Sequence, residues 1–187
     1  MKYVTNFFST LFVVSTGLYL LPHSVANAVT LSDGTIAFAQ PPRLVSASTP
    51  YSNTSVPNTT YYFTLEVPVT AGEPLQQVTF NQIEGTEDIE FNQKDTFAFE
   101  GTRNSQGSKL GLKAVKADDK QQTFTVIFDT PIPPGKTVTI GLQTYRNPFY
   151  DGVYLFGVKA FPSGKQTAGQ FLGIGRLQFY APTTTEN

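Results

Sequence analysis

The chain of 187 residues is long enough to bury one hydrophobic core and too short for several ordinary domains. It contains no cysteine, which excludes disulfide bonds and cysteine-dependent catalysis, and its formal net charge of -1 is too small to select nucleic acid or anionic lipid. Sixteen Phe and nine Tyr, without any Trp, predict a core built from aromatic rings.

The N-terminal segment has the pattern of a cleavable signal peptide. Lys2 supplies a positive charge, residues 7–21 contain no charged side chain, and residues 26–28 form an A-x-A cleavage pattern. The uncharged run is shorter than the ~20 residues that a membrane-spanning helix requires. We therefore expect residues 1–28 to be removed on export to the periplasm or the extracellular space, with no membrane span left afterwards. An uncleaved N-terminal anchor is the alternative.

We expect residues 29–181 to form a single domain and the polar residues 182–187 to form a disordered tail. After cleavage the chain has 12 Lys and Arg against 14 Asp and Glu. The only histidine, His23, lies in the predicted leader, so the remaining chain has neither His nor Cys. This composition excludes Ser-His-Asp triads and ordinary zinc or copper sites, and we expect no cofactor.

Alternation of apolar and polar residues predicts β-strands from Leu31 onward. In the clearest run, Phe124, Val126 and Phe128 share one face, and Ile127 on the opposite face indicates that this second face is partly covered. β-branched and aromatic residues, which suit a pleated sheet, are frequent in these runs. The other alternating runs extend from Tyr61 to Val67 and from Val138 to Leu142.

Glycine, proline and Asp-rich turns separate these strands at short intervals, as is typical of an all-β antiparallel β-sandwich of the immunoglobulin-like or a related Greek-key type. Residues 118–120 predict a hairpin between two strands. The prolines within 131–134 lack the N–H groups of a central strand, so we expect them in a connection.

Three segments are less regular. Residues 46–60 are rich in Ser, Thr, Asn and Pro and predict a long exposed loop or an excursion between the first strands. Residues 89–103 mix aromatic and charged side chains and are compatible with at most a short helical turn under an aromatic plug. Residues 170–180 contain Gly173 and Gly175 inside an apolar run, which predicts a bent or bulged last strand.

Carboxylates are concentrated between residues 84 and 100. Asp88 and Glu90 would share a face if that segment were a strand, and with Asp95 they are candidates for binding calcium or, as a pair, for acid–base catalysis. No D-x-D-x-D-G loop is present, and an exposed acidic turn explains the same pattern.

The richest candidate for ligand binding is a turn that combines aromatic, cationic and amide side chains. Such side chains offer contact area together with hydrogen bonds. The alternative is a structural turn in which Asn and Arg bind backbone carbonyls while the tyrosines close the end of the sandwich. The candidate residues are Tyr145, Arg146, Asn147, Tyr150, Asp151 and Tyr154.

Several runs together resemble a family of exported cyanobacterial proteins that carry a domain of unknown function. The resemblance extends over most of residues 31–180 and implies a bacterial periplasmic or extracellular setting, but it supplies no catalytic residue. The matching runs are Asp95-Thr96 with residues 98–103, residues 133–142, Arg146-Asn147-Pro148, residues 152–158 and residues 169–173.

The sequence favours an exported, non-catalytic binding or structural module of the cell envelope or extracellular space. Its partner would be an envelope or extracellular protein or a glycan, not nucleic acid. The alternative is a carbohydrate-active domain, either a binding module with tyrosine platforms or a glycoside hydrolase with two carboxylates. The missing catalytic groups argue against an enzyme.

Overall fold

The computed structural model describes residues 29–118 and 120–182. The predicted signal peptide and residues 183–187 lie outside this range, as does Asp119. Every regular element of the described chain is a β-strand, which confirms the all-β prediction. The strands are β1 (Val29–Thr30), β2 (Ile36–Ala37), β3 (Arg43–Ser48), β4 (Thr60–Glu66), β5 (Leu75–Glu84), β6 (Phe97–Thr102), β7 (Ser105–Leu110), β8 (Leu112–Asp118), β9 (Thr123–Ile132), β10 (Thr137–Gln143), β11 (Gly152–Pro162) and β12 (Gln170–Phe179).

Ten of these strands form two five-stranded sheets, in the orders β3-β4-β10-β6-β7 and β12-β11-β5-β9-β8. All strand pairs within both sheets are antiparallel. Strands β1 and β2 form a separate two-stranded ribbon. The chain changes sheet repeatedly, so β10 lies between β4 and β6, and β5 lies between β11 and β9. The predicted antiparallel β-sandwich is confirmed.

The core lies between the two sheets, and its largest fully buried side chains are aromatic. On β4 the alternating residues Tyr61, Phe63 and Leu65 are fully buried, as the sequence pattern predicts. The ring of Phe63 lies 4.7 Å from that of Phe80 on the facing sheet, measured between centroids. Burying one such side chain stabilises the fold by about 1.5–3 kcal/mol. On β9, Phe124, Val126 and Phe128 are buried, whereas Ile127 is half-buried on the outer face.

The helical turn with which residues 89–103 are compatible is not formed. The Gln82 side chain accepts a hydrogen bond from the Ile89 N–H (2.9 Å) and donates one to the Glu87 carbonyl (2.7 Å). These bonds hold residues 85–91 in an irregular extended path, and the later part of the predicted turn is strand β6. A side chain from β5 therefore satisfies two backbone groups at the start of this segment.

The aromatic plug predicted in that segment is present as Phe91. Its ring packs against Tyr61, Phe124 and Phe156, at centroid distances of 5.8, 5.1 and 6.0 Å. Its backbone forms an isolated antiparallel bridge with Thr144. Phe91 therefore closes one end of the core without regular secondary structure.

Two predicted boundaries were wrong. The loop predicted over residues 46–60 begins later, because Ser46, Ala47 and Ser48 pair with β4. Pro131, predicted in a connection, lies in β9. The pairing of β9 with β8 ends at Phe128, so the missing N–H of Pro131 costs that pair no hydrogen bond.

The predicted hairpin around residues 118–120 is confirmed by the antiparallel pairing of β8 with β9. The predicted irregularity of the last strand is also confirmed. The register of β12 on β11 shifts between Val158 and Lys159, and Gly173 at this bulge has a φ of +129°.

One long side of the sandwich is closed by an approach of edge strands β3 and β12. A methyl group placed on Gly175 of β12 would lie 2.6 Å from the Phe63 ring and 2.9 Å from the Ala47 methyl group. Only glycine fits between these two neighbours. On the opposite side, β7 and β8 are consecutive edge strands that are linked through Gly111.

Candidate functional site

One end of the sandwich is built from two loops, residues 49–59 and residues 144–151, together with Tyr180; we call it the loop end. Backbone hydrogen bonds join the three pieces. The Thr54 N–H donates to the Tyr180 carbonyl (2.9 Å), the Ser55 N–H to the Pro148 carbonyl (2.9 Å), and the Asn147 N–H to the Val56 carbonyl (2.7 Å). These bonds replace regular strand pairing and hold the loops in a fixed relation to each other.

Asn147, a predicted ligand-binding residue, is fully buried inside the loop end. Its side-chain amide donates to the carbonyls of Tyr51 (2.9 Å) and Asn53 (2.8 Å), and its side-chain oxygen accepts from the Tyr61 hydroxyl (3.1 Å). The side chain therefore joins the two loops to the aromatic core, which matches the structural alternative for this residue.

Tyr154 is also fully buried. Its hydroxyl lies 2.7 Å from the Thr86 hydroxyl and donates to the Tyr150 carbonyl at 3.2 Å. The ring packs edge-on against Phe179. Asn147 and Tyr154 thus face the interior, whereas the other four predicted ligand-binding residues, Tyr145, Arg146, Tyr150 and Asp151, are exposed.

Arg146 is held on the surface of the loop end by three neighbours. Its guanidinium carbon lies 3.5 Å from the centroid of the Phe149 ring, and its Nη1 lies 3.7 Å from Glu87 Oε1. Its Nη1 also donates to the Asn147 carbonyl at 3.4 Å. The same Glu87 oxygen accepts a hydrogen bond from the Phe149 N–H. Glu87, outside the predicted set, therefore orients both Arg146 and Phe149.

Five aromatic side chains of the loop end are exposed, each with 55–62% of its area accessible to solvent. Tyr145 and Tyr150 belong to the predicted set, whereas the other three do not. We call this group the aromatic surface. Its members are Tyr51, Tyr145, Phe149, Tyr150 and Tyr180.

A cavity of about 430 Å³ opens beside Tyr145, between the irregular segment after β5 and the turn between β8 and β9. Its lining includes three carboxylates, Asp88, Glu90 and Asp118, together with the rings of Phe91 and Phe124. The lining of the cavity therefore combines carboxylates with aromatic rings.

The calcium candidates do not converge on one point. Asp95 Oδ2 accepts a hydrogen bond from the Asn92 amide (2.6 Å), whereas Asp88 and Glu90 line the cavity. In residues 29–118 and 120–182, no three His, Cys, Asp or Glu side chains are arranged to hold a metal ion. The same residues include no helix that is long and apolar enough to cross a membrane.

Two buried hydroxyls connect the core to the loop end. Burial is the largest cause that raises the pKa of Tyr61, and the charges of Tyr154 and Glu87 raise it further. Burial also raises the pKa of Tyr154, against the opposing hydrogen bond from Thr86. Both phenols therefore stay neutral at physiological pH and act as hydrogen-bonding groups.

The chain is distantly similar to several solved structures. The chain is similar to BslA, a bacterial hydrophobin, with 12% identity over 78% of this chain and 98% of that one, and a TM-score of 0.46. It is also similar to an immunoglobulin-like protein from Nocardia farcinica (12% identity, 72% and 96% covered, TM-score 0.43) and to a collagen-binding domain of a Staphylococcus aureus adhesin (10%, 66% and 88%, 0.36).

No curated protein matches the chain in sequence. A family model does match it. The family is described as "Protein of unknown function (DUF2808)", and the match extends over residues 35–179, from the β1–β2 ribbon to the last residue of β12. This range includes both sheets and both loops of the loop end, and the chain therefore belongs to the DUF2808 family.

Proposed function

We propose that this protein is an exported, non-catalytic binding module of the cell envelope or extracellular space, and that it binds its partner through the aromatic surface. One observation carries the proposal: five large aromatic side chains are exposed together on hydrogen-bonded loops at one end of the sandwich. Aromatic residues with an arginine among them are the side chains that most often dominate binding energy at protein interfaces.

The rigidity of the loop end supports this proposal. Binding costs free energy whenever loops and side chains must be ordered. Here Asn147 already links both loops to the core, and Glu87 already orients Arg146 and the Phe149 backbone. The surface is therefore pre-organised, and less of the contact energy is lost on ordering it.

Export is supported by the leader pattern of residues 1–28. Fractionation of the source bacterium, followed by sequencing of the protein's N-terminus, tests this part of the proposal. We expect the protein in the periplasm or medium with Val29 as its first residue. Recovery from the cytosol with Met1 retained would contradict export.

A glycan is the second candidate for the partner, because four of the five exposed rings are tyrosines. Tyrosine offers a flat apolar face for a sugar ring and a hydroxyl for hydrogen bonds. Titration with purified cell-wall polysaccharide and, separately, with envelope proteins tests this candidate. Binding of the polysaccharide but of no envelope protein would favour it.

The proposed surface is tested by exchanging Tyr145 and Tyr150 together for Ala. Both side chains are more than half exposed, so we expect an unchanged melting temperature. Capture of envelope components on the immobilised protein should fall by at least about tenfold, since interface aromatics are frequent hot spots. Equal capture by the wild-type protein and the double variant would contradict the proposal.

Asn147→Ala is the matched control at the same end of the molecule. It removes the hydrogen bonds to the carbonyls of Tyr51 and Asn53 and leaves the buried Tyr61 hydroxyl without its acceptor. An unsatisfied buried hydroxyl alone costs about 1–3 kcal/mol. We therefore expect urea denaturation to show a large loss of stability for Asn147→Ala and none for the surface variant. A stability loss of equal size in both would show that the exposed tyrosines are structural.

A further inference from the structure

We propose that two copies of this chain form a symmetric dimer through the outer face of the sheet β12-β11-β5-β9-β8. This face shares no residue with the aromatic surface, so the inference goes beyond the proposed binding function. It rests on the pattern of side chains that the strand registers place on this face.

The face carries exposed apolar side chains around a glycine. Ile83, Phe171 and Ile174 are 50–59% exposed. A methyl group placed on Gly157 would lie 3.4 Å from the Phe171 ring and 3.6 Å from Ile83, so these two side chains cover the buried backbone of Gly157 on this face. Leu155 and Phe161, on either side of Gly157 along β11, are half-buried on the same face.

The registers align the outward residues in rows that run across all five strands. Two neighbouring rows, about 7 Å apart along the strands, determine in which orientation this face can contact the same face of a second copy. Row one is Asp118, Thr123, Asn81, Gly157 and Ile174, from β8 to β12. Row two is Lys116, Thr125, Thr79, Lys159 and Phe171, in the same strand order.

A two-fold axis between the rows, perpendicular to the strands and parallel to the sheet, places row one of each copy on row two of the other. Asp118 then faces Lys116 of the second copy, Ile174 faces Phe171, and threonine faces threonine. One row further out, Leu155 faces Phe161. Opposite charges therefore face each other, and apolar groups face apolar groups. Each of these contacts occurs twice, as the two-fold symmetry of an isologous interface requires.

The polar residues of the rows do not oppose this arrangement. The hydroxyls of Thr79 and Thr125 lie 3.1 Å apart and bind each other within one chain, so they need no water when covered. Lys159 faces Gly157 of the second copy, where its alkyl stem can lie against the Phe171 and Ile83 side chains while its ammonium group reaches solvent at the edge of the interface.

The other symmetric orientation fits poorly. A two-fold axis parallel to the strands and centred on β5 would exchange β12 with β8. It would then place Phe171 on Lys116 and Ile174 on Asp118, so that apolar side chains would cover charges. Burial of unpaired charge is costly, which disfavours that orientation.

The size of the face is sufficient. Five strands spaced ~4.8 Å apart, with up to 11 residues at ~3.4 Å each, give an area of about 800 Å² per copy. That is the area of a standard specific interface. A second copy therefore fits both the dimensions and the charges of this surface.

Sedimentation of the full chain, as processed by the expressing cell, tests the dimer over a range of concentrations. We expect reversible dimers and at least about tenfold weaker association for Phe171→Glu. Val69→Glu, at a residue that is 76% exposed outside this face, is the control and should associate like the wild-type chain. A wild-type chain that stays monomeric, or equal weakening by both variants, would overturn the proposal.

The orientation is tested by cross-linking, for which the cysteine-free chain is a clean background. Phe171→Cys and Ile174→Cys are prepared separately and treated with a short bis-maleimide, alone and mixed. Because residue 171 of one copy faces residue 174 of the other, the mixture should cross-link more efficiently than either variant alone. Equal cross-linking in all three samples would overturn the proposed register.

The charge contact has its own test, which does not depend on apolar burial. Lys116→Asp should weaken dimerisation, since residue 116 would then face the carboxylate of Asp118. Adding Asp118→Lys to that variant restores opposite charges across the axis and should restore the dimer. Failure of the double variant to recover association, with its fold intact by circular dichroism, would contradict the Asp118–Lys116 contact.

Discussion

A single buried hydrogen bond, from the Tyr61 hydroxyl to the Asn147 side chain, joins the core to the loop end. The phenol lies among Phe91, Phe156 and Phe179, and the negative charge of Glu87 disfavours an ionised ring there. Burial therefore raises the pKa of Tyr61 far above that of a free tyrosine. The neutral hydroxyl is part of the fold.

This raised pKa predicts loss of stability at alkaline pH. In the unfolded chain Tyr61 ionises near pH 10, whereas in the folded chain it keeps its proton. Its contribution to the stability of the fold is therefore complete below about pH 10 and is lost as the pH rises further. The free energy of unfolding should fall by up to about 1.4 kcal/mol per pH unit from this residue. Urea denaturation between pH 8 and 12 measures the slope.

Tyr61→Phe should flatten that slope, although the variant is less stable at neutral pH because Asn147 loses a partner. Tyr150→Phe is the matched control, since Tyr150 is exposed and its replacement should leave the slope unchanged. An identical alkaline slope in the wild-type protein and Tyr61→Phe would show that other groups cause the loss.

At the scale of elements, the packing of β12 against β3 depends on a glycine. Gly175 lies in the interior-facing series of β12 with Leu177 and Phe179, and the Phe63 ring occupies the space that a side chain would need. The two sheet edges can approach only where this side chain is absent. The bulge at Gly173, two residues earlier, bends the strand as it reaches this contact.

Gly175→Ala is expected to destabilise the fold by about 1–3 kcal/mol, because the new methyl group overlaps Phe63 and Ala47. Gly157→Ala is the control in the paired strand, where the nearest atoms lie at ordinary contact distance. Thermal denaturation of both variants measures the difference. Equal melting temperatures would mean that β3 moves away at little cost.

At the scale of the whole molecule, strand partners are far apart in sequence. Strand β4 pairs with β10, and β5 pairs with β11, although about 75 residues separate each pair of partners along the chain. Closing such long loops costs entropy before the strand contacts repay it. Neither sheet can therefore form from neighbouring segments alone.

Refolding should accordingly take milliseconds to seconds, the range of sandwiches with non-local pairing. Because the chain has no Trp, stopped-flow circular dichroism or tyrosine fluorescence measures the rate. Complete refolding within microseconds would contradict this expectation, since it would require mostly local contacts.

The sequence predicted the sandwich because each alternating run reports directly on which face of its strand is buried. Phe124 and Val126 needed no knowledge of their partners to be placed in the core. The site was predictable only in part. Asn147 and Tyr154 have the composition of binding residues, but their partners Tyr51 and Thr86 lie 96 and 68 positions away, so spacing could not show that they are buried.

The same limit explains the missed members of the aromatic surface. Tyr51 and Tyr180 flank different segments and meet only after folding, through the backbone of residues 52–54. Phe149 stands next to the predicted residues and was the one member whose position in the turn could have identified it. The neighbouring sequence does not show whether a single aromatic residue is exposed, because burial depends on which side chains pack against it in the fold.

The two long sides of the sandwich differ in a way that bears on aggregation. Where β3 meets β12 no foreign strand has room to enter, whereas β7 and β8 leave unpaired backbone groups at the opposite margin. That margin carries Lys109 and Lys113, both exposed. An incoming strand would have to strip water from these ammonium groups before it could pair, so the open margin resists growth of the protein into amyloid-like fibrils.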